Sequence, residues 1–275
     1  MANPGQDWYD RTYVIRHSAI DTRIRDYYRW TIRSLPLRGT LLDIGCGEGV
    51  FVNYSSQKGF NSSGIDFSKE AIELGRKQYG LKTLFHCSLF KLKEEVRISG
   101  FDIVTFFEVL EHLDRPKEFL AETKTFLKKG GYVALSVPFR DRWPFREFND
   151  YPPHHLTRWT EKSLRTFIQI NGFDIIKLKI SSGLRSYSIF LGYLIRRSVY
   201  GLFGMGKKGL NTSEIIESGK EIRLLTHPLI KRILSFVKPR QIRDILLWPI
   251  AVITYPFVFP WFKGYNLMLI ARIKN

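Results

Sequence analysis

The chain is short of cysteine and of acidic residues. Of its 275 residues only Cys46 and Cys87 are cysteines, and neither belongs to a Cys-x-x-Cys spacing. A disulfide framework and a cysteine-ligated zinc site are therefore excluded as organising devices, and a reducing cytosol suits the composition. The opening MANPGQDWYDRTYVIRH lacks the apolar core that a secretory signal needs, so the first domain is expected to stay in the cytoplasm. No internal repeat or low-complexity tract is present, which sets aside solenoids and biased tails. Acidic residues number 26 against 43 Lys and Arg, a formal charge of +17. The shortfall is local: residues 181–275 hold 15 of the basic residues but 4 of the acidic ones. Clustered Lys and Arg attract nucleic acid, an anionic membrane surface or an acidic substrate through the same long-range field, and charge alone does not choose among them.

What is present is a core. Hydrophobic residues make up 44% and aromatic residues 15% of the chain, enough for one large α/β domain with embellishments. Residues 8–35 carry apolar positions at helical spacing up to Leu35-Pro36, which predicts one or two leading helices. Short apolar runs then alternate with amphipathic stretches. Strands are expected near 40–45, 60–66, 81–86, 101–107 and 131–137, with helices near 48–58, 68–79 and 115–129, the pattern of a parallel sheet covered on both faces. A helix near 160–171 begins after Thr160 and stops at Asn171-Gly172, before a strand at 173–180. Residues 265–274 again read as a buried strand. The expected organisation is an N-terminal helical cover (1–38), a Rossmann-like core (39–180), a basic, apolar helical insertion (181–264) and a final core strand (265–275). The fold class is α/β, a doubly wound sheet of seven strands with the last antiparallel.

The segment Leu41-Leu42-Asp43-Ile44-Gly45-Cys46-Gly47-Glu48-Gly49 follows a strand and opens a helix, and its glycines let a ligand approach the backbone closely. Asp66 closes the next strand in Gly64-Ile65-Asp66-Phe67-Ser68, where its carboxylate can accept two hydrogen bonds from a ribose diol. A dinucleotide site would ordinarily have G-x-G-x-x-G; here the order is G-x-G-x-G.

LLDIGCGEG with GIDFS resembles the first two signature motifs of the class I S-adenosylmethionine-dependent methyltransferases, over about residues 40–137. The resemblance implies S-adenosylmethionine as cofactor, its methionine tail on the backbone groups of the loop (Asp43, Gly45, Cys46, Gly47, Gly49) and its ribose on Asp66 and Phe67. Ser88 and Leu89 after the third strand, with Phe107, Glu108 and Val109 after the fourth, are similar to positions that contact adenine in that family. At Cys87 many relatives have an acidic residue, so the adenine amino group would have to be met by other atoms.

The fourth strand runs into Glu108-Val109-Leu110-Glu111-His112, which is similar to the methyltransferase-23 and ubiquinone-type O-methyltransferase branch. There the matching Glu-x-x-Glu-His is associated with a divalent cation, so the resemblance implies that Glu108, Glu111 and His112 could ligate magnesium or a similar ion. The competing reading has Glu108 lining the cofactor pocket, Glu111 solvated and His112 touching substrate or capping a turn. Lys128-Lys129-Gly130-Gly131 resembles the family's turn before the fifth strand, a scaffold element.

Asp150-Tyr151-Pro152-Pro153-His154-His155-Leu156-Thr157-Arg158-Trp159-Thr160 resembles a recurrent segment of the same subgroup. Two histidines beside a rigid Pro-Pro on a loop above the sheet can enter the site. Methyl transfer needs an aligned acceptor and, for a hydroxyl, a base; His154 or His155 is expected in that role ahead of His112, while at least one of the pair braces the loop. Asp150-Tyr151-Pro152-Pro153 also resembles the motif with which N6-adenine methyltransferases stack a flipped base, but it lies after the wrong strand, so nucleic acid is not the expected partner.

In 181–264, apolar stretches meet basic clusters, as in Tyr187 to Ile195 before Arg196-Arg197 and Ile245 to Phe262 before Lys263. Pro249, Pro256 and Pro260 would interrupt a spanning helix, whereas Trp248, Tyr255 and Trp261 suit a headgroup boundary. Peripheral membrane contact and packing on the sheet or on a second subunit both remain open. The expected activity is methyl transfer to an oxygen, in preference to nitrogen or carbon, of a small-molecule, lipid-linked or glycan acceptor, in the cytoplasm or at the inner face of the membrane. The alternatives are an RNA-directed methyltransferase using the basic last third and a non-catalytic cofactor-binding membrane adaptor.

Overall fold

The computed structural model describes residues 24–92, 100–141, 155–184, 187–188, 191, 249–257 and 264–274. The strands are β1 (Thr40–Ile44), β2 (Asn61–Asp66), β3 (Leu84–His86), β4 (Phe101–Phe107), β5 (Leu127–Pro138), β6 (Phe173–Ile180) and β7 (Asn266–Ile273). They form one seven-stranded sheet in the order β3-β2-β1-β4-β5-β7-β6. β1 to β5 pair in parallel, and β7 runs antiparallel to both β5 and β6. This is the expected fold. The winding direction reverses between β1 and β4, and open sheets of this kind form a crevice outside the carboxyl ends of the strands at that point.

The helices described in this unit are α1 (Asp26–Ser34), α2 (Val50–Ser56), α3 (Lys69–Tyr79), α4 (Pro116–Phe126) and α5 (Glu161–Ile170). Side chains alternate across each strand, so neighbours such as Leu41 and Leu42 feed opposite layers. One cluster joins Leu42, Val104 and Phe106 to Phe119 and Phe126 of α4 and Leu164 of α5. Another joins Leu41, Ile103 and Phe107 to Phe51 of α2, with Tyr27 and Tyr28 of α1 packed against it. Helix ends follow local chemistry. Ser68 caps α3 and left-handed Gly80 ends it. Thr160 and Ser163 form a reciprocal capping box on α5, with the Ser163 N–H donating to Thr160 Oγ1 at 3.0 Å and the Thr160 N–H to Ser163 Oγ at 2.9 Å. The helix expected to reach 129 stops at Phe126 because Leu127 already pairs with Phe101 at the edge of β4.

The chain divides into two compact units, Met1–Ser181 with Tyr265–Asn275, and Ser182–Gly264. In the second, a helix at 249–257 buries Ala251 together with Tyr187, and Leu184, Leu191 and Tyr255 pack around them. Pro249 is the first described residue of this helix, and Pro256 falls inside it. Trp248, Pro260 and Trp261 lie outside the described residues. Among the described residues no helix is long and apolar enough to cross a membrane.

Candidate active site

β1 ends in a turn in which Gly45, Gly47 and Gly49 have φ of 73°, 53° and 73°, a left-handed region that other residues enter only with strain. Gly45 has a second reason to lack a side chain, since a Cβ there would lie 2.6 Å from Val109 Cγ2. The amides of the turn were expected to face the ligand, yet they point back into the protein. Gly45 and Cys46 N–H donate to the Ile65 carbonyl at 2.8 and 3.0 Å, and Gly49 N–H donates to the Cys46 carbonyl at 2.9 Å. Gly47 N–H donates to Asp66 Oδ2 at 2.8 Å. The tip of β2 thus holds the turn, because the Ile65 carbonyl and the Asp66 carboxylate accept from its amides.

A cavity of about 350 Å³ opens where the carboxyl ends of β1, β2 and β4 meet, within the size range of small-molecule sites. Gly45, Asp66, Phe67, Ser88, Leu89, Glu108 and His112 line it, all of them singled out from the sequence. Ser88 N-caps a single 3-10 turn, Leu89–Lys91, which carries Leu89 into the wall. Ser68 N–H donates to Asp66 Oδ1 at 2.8 Å, so both oxygens of that carboxylate are set by backbone amides and its plane is fixed at the rim. Two lining aromatics, Phe67 (37%) and Phe90 (59%), are exposed, and such faces suit a heteroaromatic ring. Val109, also singled out from the sequence, joins the lining, whereas Phe90 and Phe119 carried no motif and only the cavity draws them in.

The other proposed cofactor residues stand behind this wall. Cys46 is buried against Val52, Ile72 and Leu84, and Gly47 and Gly49 shape the turn. Phe107 stacks on Tyr27 with ring centroids 5.4 Å apart and meets Phe51 edge to face at 4.8 Å, so it anchors α1 and does not touch the cavity. Asp43 is buried and accepts a hydrogen bond of 2.6 Å from Thr105 Oγ1. Burial pushes its carboxyl from 3.8 up to about 8; the Thr105 hydroxyl opposes the rise and the Asp66 charge adds to it. The folded protein therefore holds a proton that the unfolded chain releases, and this contribution to stability is complete below about pH 4 and lost as the pH climbs through about 8. Asp43→Asn keeps an acceptor for Thr105 but cannot ionise. Its melting temperature should fall less than that of the parent between about pH 6 and pH 9, by roughly 2–4 °C per kcal/mol of ionisation cost removed.

After β4 the chain turns sharply at Glu108, whose φ of 56° is positive. The Glu108 carboxylate swings towards β5 and β7, where Ser136 Oγ and Asn266 Nδ2 donate to its Oε1 at 2.7 and 2.8 Å. A short 3-10 turn, Leu110–His112, then carries Glu111 inward, 1% exposed and not solvated. The loop at 155–157 is tied to that turn. Leu156 and Thr157 N–H donate to the Glu111 carbonyl at 2.8 and 3.1 Å, and Thr157 Oγ1 donates to the Leu110 carbonyl at 3.3 Å. His155 is thereby set against His112, with ring centroids 4.9 Å apart. One ligand atom each from Glu111, His112 and His155 lies within 4.8 Å of the others. Glu108 is not in this group, so the set implied by Glu-x-x-Glu-His is not the one the fold assembles. His154, the other histidine expected in the site, lies outside the described residues.

A larger cleft of about 550 Å³ lies beside Pro36, Arg38, Lys58 and Phe60. These residues precede β1 and β2, so the cleft sits at the amino ends of the strands, away from the glycine turn and the histidines.

A family model described as a methyltransferase domain matches residues 17–178, more than half of the chain. The chain belongs to the class I S-adenosylmethionine-dependent methyltransferases. This methyltransferase is 38% identical over 108 residues to the mitochondrial ubiquinone biosynthesis O-methyltransferase of Candida albicans, covering 37% of this chain and 33% of that one. It is 30% identical over 100 residues to the ubiquinone biosynthesis O-methyltransferase of Vibrio cholerae serotype O1, covering 35% and 41%. It thus spans less than half the length of these curated relatives. Among solved structures, a SAM-dependent methyltransferase from Archaeoglobus fulgidus superposes with a TM-score of 0.53 at 17% identity, covering 98% of this chain and 94% of that one. The [4+2]-cyclase SpnF superposes with a TM-score of 0.58 at 17% identity, covering 100% and 98%. That a cyclase shares the fold shows that architecture alone does not specify the reaction.

Proposed function

We propose that this methyltransferase moves the methyl group of S-adenosylmethionine to an oxygen of a small-molecule acceptor. The observation that carries this reading is the Asp66 carboxylate, fixed by two backbone amides at the rim of a cavity flanked by aromatic faces. It suits a ribose diol, with adenine between Phe67 and Phe90. The acceptor is placed on the Glu111–His112–His155 side of the cavity. There the C–O bond forms as the S–CH3 bond breaks in line, the sulfonium leaves as a neutral thioether, and the hydroxyl proton passes to water or to an imidazole on that side. The ubiquinone-type relatives favour oxygen over nitrogen or carbon. The test is incubation of cell extracts with the protein and isotopically labelled S-adenosylmethionine, followed by mass spectrometry. One class of organic-soluble product should carry the label, with S-adenosylhomocysteine formed in equal amount. Label appearing in RNA, or in no product, would reject the reading.

The acceptor we favour is lipid-linked and met at the cytoplasmic face of a membrane. Support comes from the helix at 249–257, which exposes Ile250 (49%), Ile253 (69%) and Phe257 (78%) on the side away from buried Ala251. A helix apolar all round needs a second apolar partner, and the basic excess of residues 181–275 complements anionic lipid. The full chain is expected to co-sediment with vesicles containing phosphatidylglycerol and far less with phosphatidylcholine alone. Ile253→Asp with Phe257→Asp should cut the bound fraction about tenfold or more. Equal binding to both vesicles, or none, would leave that face to a second protein copy.

A further inference from the structure

We infer that Glu111, His112 and His155 form a binding site for a zinc-class divalent cation, displacing the magnesium-type set of Glu108, Glu111 and His112 that the sequence motif implies. The motif alone places three donors on one stretch of chain, and the structure separates them. Glu108 enters its position through a positive φ, and its carboxylate is held by Ser136 and Asn266 on the β5 and β7 side. The vacated role falls to His155, a residue remote in sequence that arrives because the Leu156 and Thr157 amides grip the Glu111 carbonyl.

Exchanging a carboxylate for an imidazole changes the metal. Magnesium prefers about six oxygen ligands and gives up water reluctantly, so one carboxylate and two imidazoles are a poor set for it. Two neutral imidazole nitrogens and one carboxylate oxygen match zinc and its first-row neighbours, and three protein ligands leave the fourth position open, as in catalytic zinc sites. The distances are compatible. Bonds of about 2.0–2.1 Å put tetrahedral donors roughly 3.4 Å apart. The His112 Nε2 to Glu111 Oε1 separation is 3.9 Å, and the three donor atoms lie within 4.8 Å of one another, a gap that small side-chain rotations close. Burial strengthens the case, because a carboxylate that is 1% exposed keeps its charge most readily with a cation beside it. His112 also lines the cavity, so a cation held by this group would lie beside it. A cation held there would supply Lewis acidity to a hydroxyl acceptor, whose proton would then leave to water. That purpose rests on the methyl-transfer reading, but the test of the site does not.

The test uses metal-stripped full-length protein titrated with cobalt(II), whose visible absorption reports tetrahedral coordination. One cobalt per chain is expected, displaced by zinc and unaffected by excess magnesium. His155→Ala should weaken cobalt binding by roughly 100-fold or more, as loss of one of three ligands requires, whereas Glu108→Gln should change it by less than about threefold. S-adenosylhomocysteine binding measured on the same His155→Ala sample should be unchanged, which separates failure of this site from failure of the cofactor reading and shows that the variant is folded. The proposal is overturned if no tetrahedral band appears, if magnesium displaces cobalt, or if Glu108→Gln abolishes binding while His155→Ala does not.

Discussion

Asp66→Ala is expected to weaken S-adenosylhomocysteine binding by about 10²–10³-fold, which isothermal titration calorimetry would register as loss of measurable heat. Two effects add. The carboxylate is the natural acceptor for a ribose diol, and hydrogen bonds to a charged group are each worth about 1.5–3 kcal/mol. The same carboxylate also accepts from Gly47 and Ser68 N–H, each at 2.8 Å, so its removal leaves two turn amides without their acceptor and loosens the wall that shapes the cavity. Asp66→Asn sharpens the test. An amide side chain offers one acceptor oxygen where two amides now donate, and it presents an NH2 to one of them. The Asn variant should therefore bind almost as poorly as the Ala variant. Tight binding by Asp66→Asn would mean that Asp66 acts by volume and not as an acceptor.

The sheet was legible because its inner strands are buried on both faces. Runs such as Thr40–Ile44 and Phe101–Phe107 are close to continuously apolar, and the capping residues Ser68 and Thr160 mark helix starts without tertiary information. The rim of the cavity was legible for a similar reason: Gly45 and Asp66 occupy strand ends, and strand ends face the crevice. What stayed hidden depends on which way a side chain or an amide turns. Nothing local distinguishes Phe106 from Phe107, yet one joins the α4 side and the other the α1 side. The amides of the glycine turn could not be assigned to protein or ligand before the Ile65 carbonyl and Asp66 were known to sit opposite them. The Glu-x-x-Glu-His motif does not tell how its donors are arranged, for a definite reason. Helical spacing would gather all three, but Glu108 has a positive φ and only the last two share a turn. His155 was expected in the site, but its grouping with Glu111 and His112 comes from hydrogen bonds between distant segments, which no spacing rule encodes.

Gly75→Ala should destabilise the protein and impair cofactor binding together, although helix propensity argues the reverse. Gly75 lies within α3, where replacing glycine by alanine ordinarily stabilises by about 1 kcal/mol. Here the added Cβ would fall 2.3 Å from the Glu48 carbonyl oxygen, 2.7 Å from its carbon and 2.9 Å from Leu84 Cδ1. A side chain could rotate away from such a contact, but a carbonyl in a turn locked by its own hydrogen bonds cannot. Either α3 must lift from the sheet or the turn must shift, and overpacking of this kind costs about 1–3 kcal/mol or more. Urea denaturation should show the lower midpoint, and calorimetry with S-adenosylhomocysteine should show affinity reduced by about tenfold, since Glu48 lies between Gly47 and Gly49. Gly80→Ala is the control. That residue ends α3 at φ 67° with open space around it, so alanine there should cost only about 1 kcal/mol and leave cofactor affinity intact. If the two variants proved equally mild, α3 would not be braced against the turn, and the rigidity ascribed to the cofactor wall would have to come from β2 alone.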